Sequence, residues 1–245
     1  MSKQPKIKSK GAALVTGGAR RIGHAIALSL AEQGFDIALH YFESQLEAQT
    51  VAKSIRKKGV RCELFRCNLA QEKETLALTV QAATKFSNLN ILINNASIFI
   101  PSQFHRDDLK LFNDHWTVHV KTPFILTSEF ARICKKGQII NILDTNIIRN
   151  KTSYVGYLLS KKALRELTQM AAVQLAPQIR VNAVAPGIIL PATGKSASYL
   201  KERVKQIPLQ RQGNEGNITQ SIKFLLDNDF LTGQIIFCDG GEHLV

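Results

Sequence analysis

Seven short apolar runs punctuate this chain, and the stretches between them carry helical periodicity. AALVTGG (12–18), DIALHY (36–41), CELFRCN (62–68), NILINNA (90–96), QIINILD (138–144), RVNAVAPG (180–187) and QIIFCDGG (234–241) are rich in Val, Ile and Leu and do not alternate strictly with polar residues. That is the pattern of strands buried on both faces of a parallel sheet. Among the intervening segments, SQLEAQTVAKSIRKKG (44–59) opens with Ser44 and Glu47 in capping-box spacing and stops at Gly59. Strand and helix in alternation predict α/β architecture: a single doubly wound domain over 11–245, with a seven-stranded parallel sheet and right-handed crossovers. Ligands of such sheets sit at the carboxyl ends of the strands.

Composition narrows the function classes. The chain has no run of about 18 apolar residues, so no membrane partner is expected. The first ten residues, MSKQPKIKSK, lack an apolar signal core and read as a basic disordered tail. Four cysteines without CxxC pairing or a matching histidine pattern suit reduced thiols in a cytoplasmic protein and suggest no metal site. The net charge of +13 is spread over clusters such as SIRKKGVR, CKKG and LSKK. Solvated helix ends account for such clusters, which argues against nucleic acid, while a basic surface would attract a phosphorylated cofactor or an anionic substrate.

After the first run comes TGGARRIG. Gly17, Gly18 and Gly23 permit a tight turn and close approach of backbone to a pyrophosphate at the N-terminus of the next helix. Farther on, QIINILD ends on Asp144, and thirteen residues later stand Tyr157 and, four beyond it, Lys161. Four residues apart on a helix, Tyr157 and Lys161 share a face. An ammonium beside a phenol favours the phenolate, so a lowered Tyr157 pKa and a role as general acid are expected. Asp144 has two readings: a turn residue capping TNIIRN, or a catalytic carboxyl group.

These motifs, TGGARRIG, NNAS (94–97), YLLSK (157–161) and APG (185–187), appear in order over nearly the whole length, and the chain resembles the short-chain dehydrogenase/reductase family. Within it the sequence is most similar to pteridine reductases and bacterial dihydromonapterin reductases. Arg21 replaces the middle glycine of the usual turn, Phe99 follows the NNAS motif, and Asp144 stands where most relatives carry serine. The resemblance implies a Rossmann domain, a homotetramer through the helices around 118–135 and 153–176, and NADPH-dependent reduction of a pteridine. A carbonyl or 3-oxoacyl reductase is the alternative.

By the same resemblance, Gly17, Arg20, Arg21, Ile22, Asn68, Leu69, Asn95, Ala96, Ser97, Lys161, Pro186, Gly187 and Ile188 line the cofactor, with Asn94 beside its ribose. Arg21, Ser97, Phe99, Asp144 and Tyr157 would meet the substrate, Phe99 by stacking on a flat pterin. His119 occupies the position usually held by a catalytic asparagine, with a packed core histidine as the other reading. After the second run, Tyr41 stands where an NAD enzyme needs an acid on the ribose diol. Tyr41 and Phe42, with Arg20 and Ser44 as donors, suit a 2′-phosphate instead; Glu43 argues the other way.

Overall fold

The computed structural model describes residues 9–104, 109–191 and 202–245, so most of the expected tail lies outside the described residues. Seven strands form one sheet: β1 (Ala12–Val15), β2 (Asp36–Tyr41), β3 (Cys62–Arg66), β4 (Leu89–Asn94), β5 (Gly137–Ile142), β6 (Ile179–Pro186) and β7 (Ile235–Cys238). Their order is β3-β2-β1-β4-β5-β6-β7 and every pairing is parallel. The expected doubly wound α/β domain is therefore what the chain forms. Strand order reverses between β1 and β4, and the carboxyl ends of those two strands open the crevice in which such sheets hold ligands.

Helices cover both faces. On one lie α1 (Arg21–Glu32), α2 (Gln45–Arg56) and α7 (Glu215–Asp227), which bury Ile26, Leu30, Val51, Ile55, Ile218 and Ile222 in one core with residues of β1, β2, β4, β5 and β6. On the other lie α3 (Glu72–Lys85), α5 (Thr122–Ile133) and α6 (Val155–Leu175), with Leu78, Leu126, Phe130 and Ala171 in a second core. Each fully buried Leu, Ile or Phe contributes about 1.5–3 kcal/mol, so the two cores hold the central strands rigidly beneath the crevice. A further helix, α4 (Leu109–Trp116), runs through a π-helical turn, Thr117–Lys121, into α5. No described helix is long and apolar enough to cross a membrane.

Three local expectations need correction. The apolar runs overshoot the strands at their carboxyl ends: β1 stops at Val15 and β5 at Ile142, because the residues that follow turn out of the sheet to build the crevice. The edge strand β3 is not buried throughout: Glu63 and Arg66 are exposed where the sheet's edge meets solvent. Ser44 does precede α2, but its side chain makes no capping bond, and Glu47 reaches Arg20 at 3.6 Å instead of closing a capping box.

Candidate active site

The crevice is built by loops that follow β1, β4, β5 and β6, and each is fastened from below. In the glycine turn, Gly17 has φ +61, and a Cβ at Gly23 would lie 2.2 Å from the Gly17 carbonyl oxygen, so only glycine lets α1 begin so close to the turn. Arg21 also has a positive φ, 54, at the position where the usual motif has glycine, and its guanidinium donates to the Pro191 carbonyl at 2.8 Å. The strain is held in place by that bond and by the helix it opens.

His40, buried in β2, clasps the turn from beneath. Its Nδ1 accepts from the Gly17 N–H at 3.0 Å, so Nε2 carries the proton and donates to the Cys67 carbonyl at 3.0 Å. Burial pushes its pKa down to about 4, and the ring is neutral. Asn95 fastens the β4 loop to the same turn: its amide donates to the Thr16 carbonyl at 2.8 Å and the Gly17 carbonyl at 3.2 Å. Asn94, expected near the ribose, is buried and spends its amide on Asn141 at 2.8 Å inside the sheet. Tyr41 is packed in the core with β2, while Phe42 and Glu43 are exposed. Asn68 closes a turn by accepting from Ala70 N–H at 3.0 Å, and the Leu69 carbonyl accepts from Thr122 at 2.8 Å.

Asp144 lies two residues past β5 and starts a short 3-10 turn, Thr145–Ile148, anchored by buried Ile147. Its two oxygens serve different partners, one in the turn and one on α6. Oδ1 accepts from the Asn146 backbone N–H at 2.7 Å and its side-chain amide at 2.8 Å; Oδ2 accepts from the Tyr157 hydroxyl at 2.9 Å. Tyr157, Ser160, Lys161, Leu164 and Thr168 form the buried stripe of α6, at the i, i+3, i+4 and i+7 spacing of a core-facing helix.

The lysine does not lower the tyrosine's pKa. Lys161 donates to the Ile142 carbonyl at 2.7 Å, and its Nζ stands 5.9 Å from the Tyr157 ring centroid. Burial, and after it the negative charge and hydrogen bond of Asp144, hold the Tyr157 phenol well above its ordinary pKa of 10. Burial likewise pushes Lys161 down to about 8, with Asp144 opposing. The phenol is thus a firm donor in the free enzyme.

His119 sits in the π-helical turn and is fully engaged. Ser160 donates to the Tyr157 carbonyl at 2.7 Å, so its oxygen accepts from His119 Nδ1–H at 2.8 Å. Nε2 then accepts from the Ile98 N–H at 3.2 Å and lies 2.9 Å from the Ser97 hydroxyl. Burial, then Lys161 and His115, drives its pKa well below 6.5. With both nitrogens bonded, His119 ties α6 to the loop after β4, the arrangement of a packed histidine.

Phe99 stays near half exposed, at 45%, over this group. Its ring stacks on Tyr154 with centroids 4.3 Å apart and planes 10° from parallel, and meets the Tyr157 ring edge-on at 4.7 Å. On the far side, the Gly187 N–H donates to the Cys238 carbonyl at 3.1 Å, and the buried Ile188 offers its carbonyl to Gly213 N–H at 3.0 Å.

A family model described as enoyl-(acyl carrier protein) reductase matches residues 17–243. The chain belongs to the short-chain dehydrogenase/reductase family. It is 33% identical to the 3-oxoacyl-(acyl-carrier-protein) reductase FabG of Staphylococcus aureus, over 97% of this chain and all of that one. Among solved structures, FolM alternative dihydrofolate reductase 1 from Brucella suis, in complex with NADP, superposes with a TM-score of 0.92 at 35% identity, covering 96% of both chains. The Brucella canis counterpart, also complexed with NADP, gives 0.91 at 34% identity, over 98% of this chain and 97% of that one.

As a short-chain dehydrogenase/reductase, the chain is an oxidoreductase, and the family's ordered motifs fall on the loops after β1, β4 and β6 and on the first turns of α6. Asp144, Tyr157, Phe99 and Ser97 come together around Lys161 and His119. Arg21 spends its guanidinium on the Pro191 carbonyl. Two contributors escaped sequence reasoning. Tyr154, the residue just before α6, backs Phe99. His40 was signalled only by being a polar residue inside an otherwise apolar strand.

Proposed function

We propose that this enzyme reduces a dihydropteridine, such as dihydromonapterin, dihydrobiopterin or dihydrofolate, to its tetrahydro form with NADPH. The observation that carries this is the Asp144 Oδ2–Tyr157 hydroxyl bond of 2.9 Å beneath an exposed Phe99 ring. A ketone needs only a donor to its oxygen, which a tyrosine alone supplies. A pteridine presents N–H groups and ring nitrogens, which a carboxylate can hold while the phenol donates a proton. Offset stacking of a flat heterocycle on Phe99 would add about 0.5–1.5 kcal/mol.

The residues present fit a dinucleotide. The close approach of Gly17 to Ala96, where an added Cβ would meet Ala96 Cα at 3.1 Å, leaves bare backbone at the N-terminus of α1 for a pyrophosphate. Gly17, Ile22 and Ala96 would hold that end, Pro186, Gly187 and Ile188 the nicotinamide end, and Lys161 the ribose between. Arg20 and Ser44 are offered to the 2′-phosphate; the Arg20–Glu47 pair is exposed and yields readily. When bound, NADPH supplies the hydride. Tyr157 then protonates the neighbouring substrate atom, Asp144 orients it, and the Lys161 ammonium stands behind as the buried proton reserve.

A second reading, reduction of a 3-oxoacyl thioester, is favoured by the FabG relatives. NADPH oxidation measured with dihydropterins and with acetoacetyl thioesters separates the two: faster turnover of the thioester would overturn the pteridine assignment. We also propose a cytoplasmic homotetramer with no nucleic-acid or membrane partner. The exposed Phe124 on α5 and Met170 and Val173 on α6 support assembly through those helices, and light scattering of the purified enzyme tests it.

A further inference from the structure

Asp239 stands one residue past β7, in the last of the seven runs but with no part in the site described above. Its side chain is 1% exposed, yet its two oxygens are saturated with donors. Thr145 Oγ1 donates to Oδ2, as does the His243 N–H at 2.8 Å; Gly241 N–H donates to Oδ1 at 3.0 Å, and the His243 ring lies 2.9 Å from Oδ2. Burial alone would raise the pKa of this carboxyl, but the bonds from Thr145, His243 and Gly241 outweigh it and hold the pKa below the ordinary value.

Two of its contacts reach the two halves of the site. Thr145 is the residue next to Asp144, in the same 3-10 turn. On the other side, a Cβ on Gly187 would lie 2.5 Å from Asp239 Cβ and 2.7 Å from its Cα, so the loop after β6 rests directly against it. The far end of the Asp144 turn is fastened to the same C-terminal segment: Arg149 donates to the Val245 carbonyl and lies 3.9 Å from Glu242. Asp144 itself has one oxygen committed to the turn and the other to Tyr157, so any rotation of the turn swings Oδ2 off the phenol.

We infer that Asp239 is a positioning residue for the reaction: through Thr145 Oγ1 it aims Asp144 at Tyr157, and through its contact with Gly187 it keeps that carboxylate in register with the loop assigned to the nicotinamide. The kinetic part of this inference rests on the pteridine reading; the geometric part does not.

Thr145→Val keeps the side-chain shape and removes the donor, while Thr145→Ser keeps the donor. Both are compared with the unmodified enzyme for dihydropterin turnover and NADPH affinity. The same proteins, labelled with 3-fluorotyrosine, give a fluorine resonance for Tyr157, assigned through Tyr157→Phe. The expected result for Thr145→Val is a kcat lower by roughly 10–10²-fold, the scale of a sub-ångström to ångström misplacement, with NADPH affinity unchanged and the Tyr157 resonance moved. Thr145→Ser restores both readouts. Asp239→Asn acts in the same direction, and combining it with Thr145→Val adds nothing, as for two members of one network. Equal impairment in the Val and Ser variants, or an unmoved Tyr157 resonance in the Val variant, would overturn the inference. Should the unmodified enzyme ignore dihydropterins, the substrate reading falls, and the fluorine comparison still decides the role of Asp239.

Discussion

Tyr157 donates its phenolic proton to Asp144 at 2.9 Å, an acid thirteen residues earlier in the chain and on a different element. The pair inverts the simplest expectation for a tyrosine one turn from a lysine. The nearer charge is negative, and it combines with burial to keep the phenol protonated. Tyr157 is therefore a protonated donor, held on Asp144, rather than a preformed phenolate.

Removing that donor gives the first prediction. Tyr157→Phe should lower turnover by about 10²–10⁴-fold, the usual range for a positioned general acid, and leave NADPH affinity nearly intact. Single-turnover kinetics beside a fluorescence titration with NADPH measure both. Near-normal turnover would mean that the proton comes from elsewhere.

Asp144→Ser should abolish most dihydropterin reduction, since a hydroxyl cannot hold substrate N–H groups as a carboxylate does. Full pterin activity in this variant would reduce the residue to a turn cap. The same change removes a negative charge from Tyr157, so the phenol should titrate lower than in the unmodified enzyme. It should stay above 10, because burial is the larger cause.

Lys161 carries a cost in stability. Its folded pKa of about 8 lies below its ordinary 10.5, so unfolding takes up a proton between those values. The penalty is complete below pH 8 and fades as pH rises to 10.5. Lys161→Met should therefore be more stable than the unmodified enzyme at pH 7, by on the order of 1–3 kcal/mol, while losing turnover. The gap in Tm should close between pH 8 and 10.5. A less stable variant at pH 7 would show that the bond to Ile142 outweighs the burial of the charge.

His40 links acid stability to cofactor binding. Its folded pKa is about 4 against an ordinary 6.5, so stability is lost as pH falls through that window, where the unfolded chain gains the proton first. His40→Asn should flatten the decline in Tm between pH 6.5 and 4. It should also raise KM for NADPH about tenfold by loosening Gly17, with a smaller effect on kcat. An unchanged KM would count against the clasp.

For cofactor choice, kcat/KM with NADPH should exceed that with NADH, and Arg20→Ala should narrow the ratio by roughly tenfold. A ratio below one in the unmodified enzyme would mean that Glu43, exposed at the start of α2, engages a ribose diol instead.

What the sequence determined by itself was whatever depends on near neighbours along the chain. Seven apolar runs specified seven parallel strands because burial on both faces requires continuous hydrophobicity. Glycine spacing located the turn after β1 because Gly17 needs a positive φ and Gly23 leaves no room for a Cβ. The i, i+4 spacing put Tyr157 and Lys161 on one helical face. Tertiary structure decided what those groups do to one another. Lys161 was close enough in sequence to act on Tyr157, but its ammonium is bound to the Ile142 carbonyl on β5 while Asp144 holds the phenol. His119 stood out in the sequence as a candidate, yet Ser160 and the Ile98 N–H, from elements far apart in the chain, occupy both its nitrogens. Desolvation and competition for hydrogen-bond partners are sums over everything that surrounds a group, and those surroundings exist only once distant segments have packed.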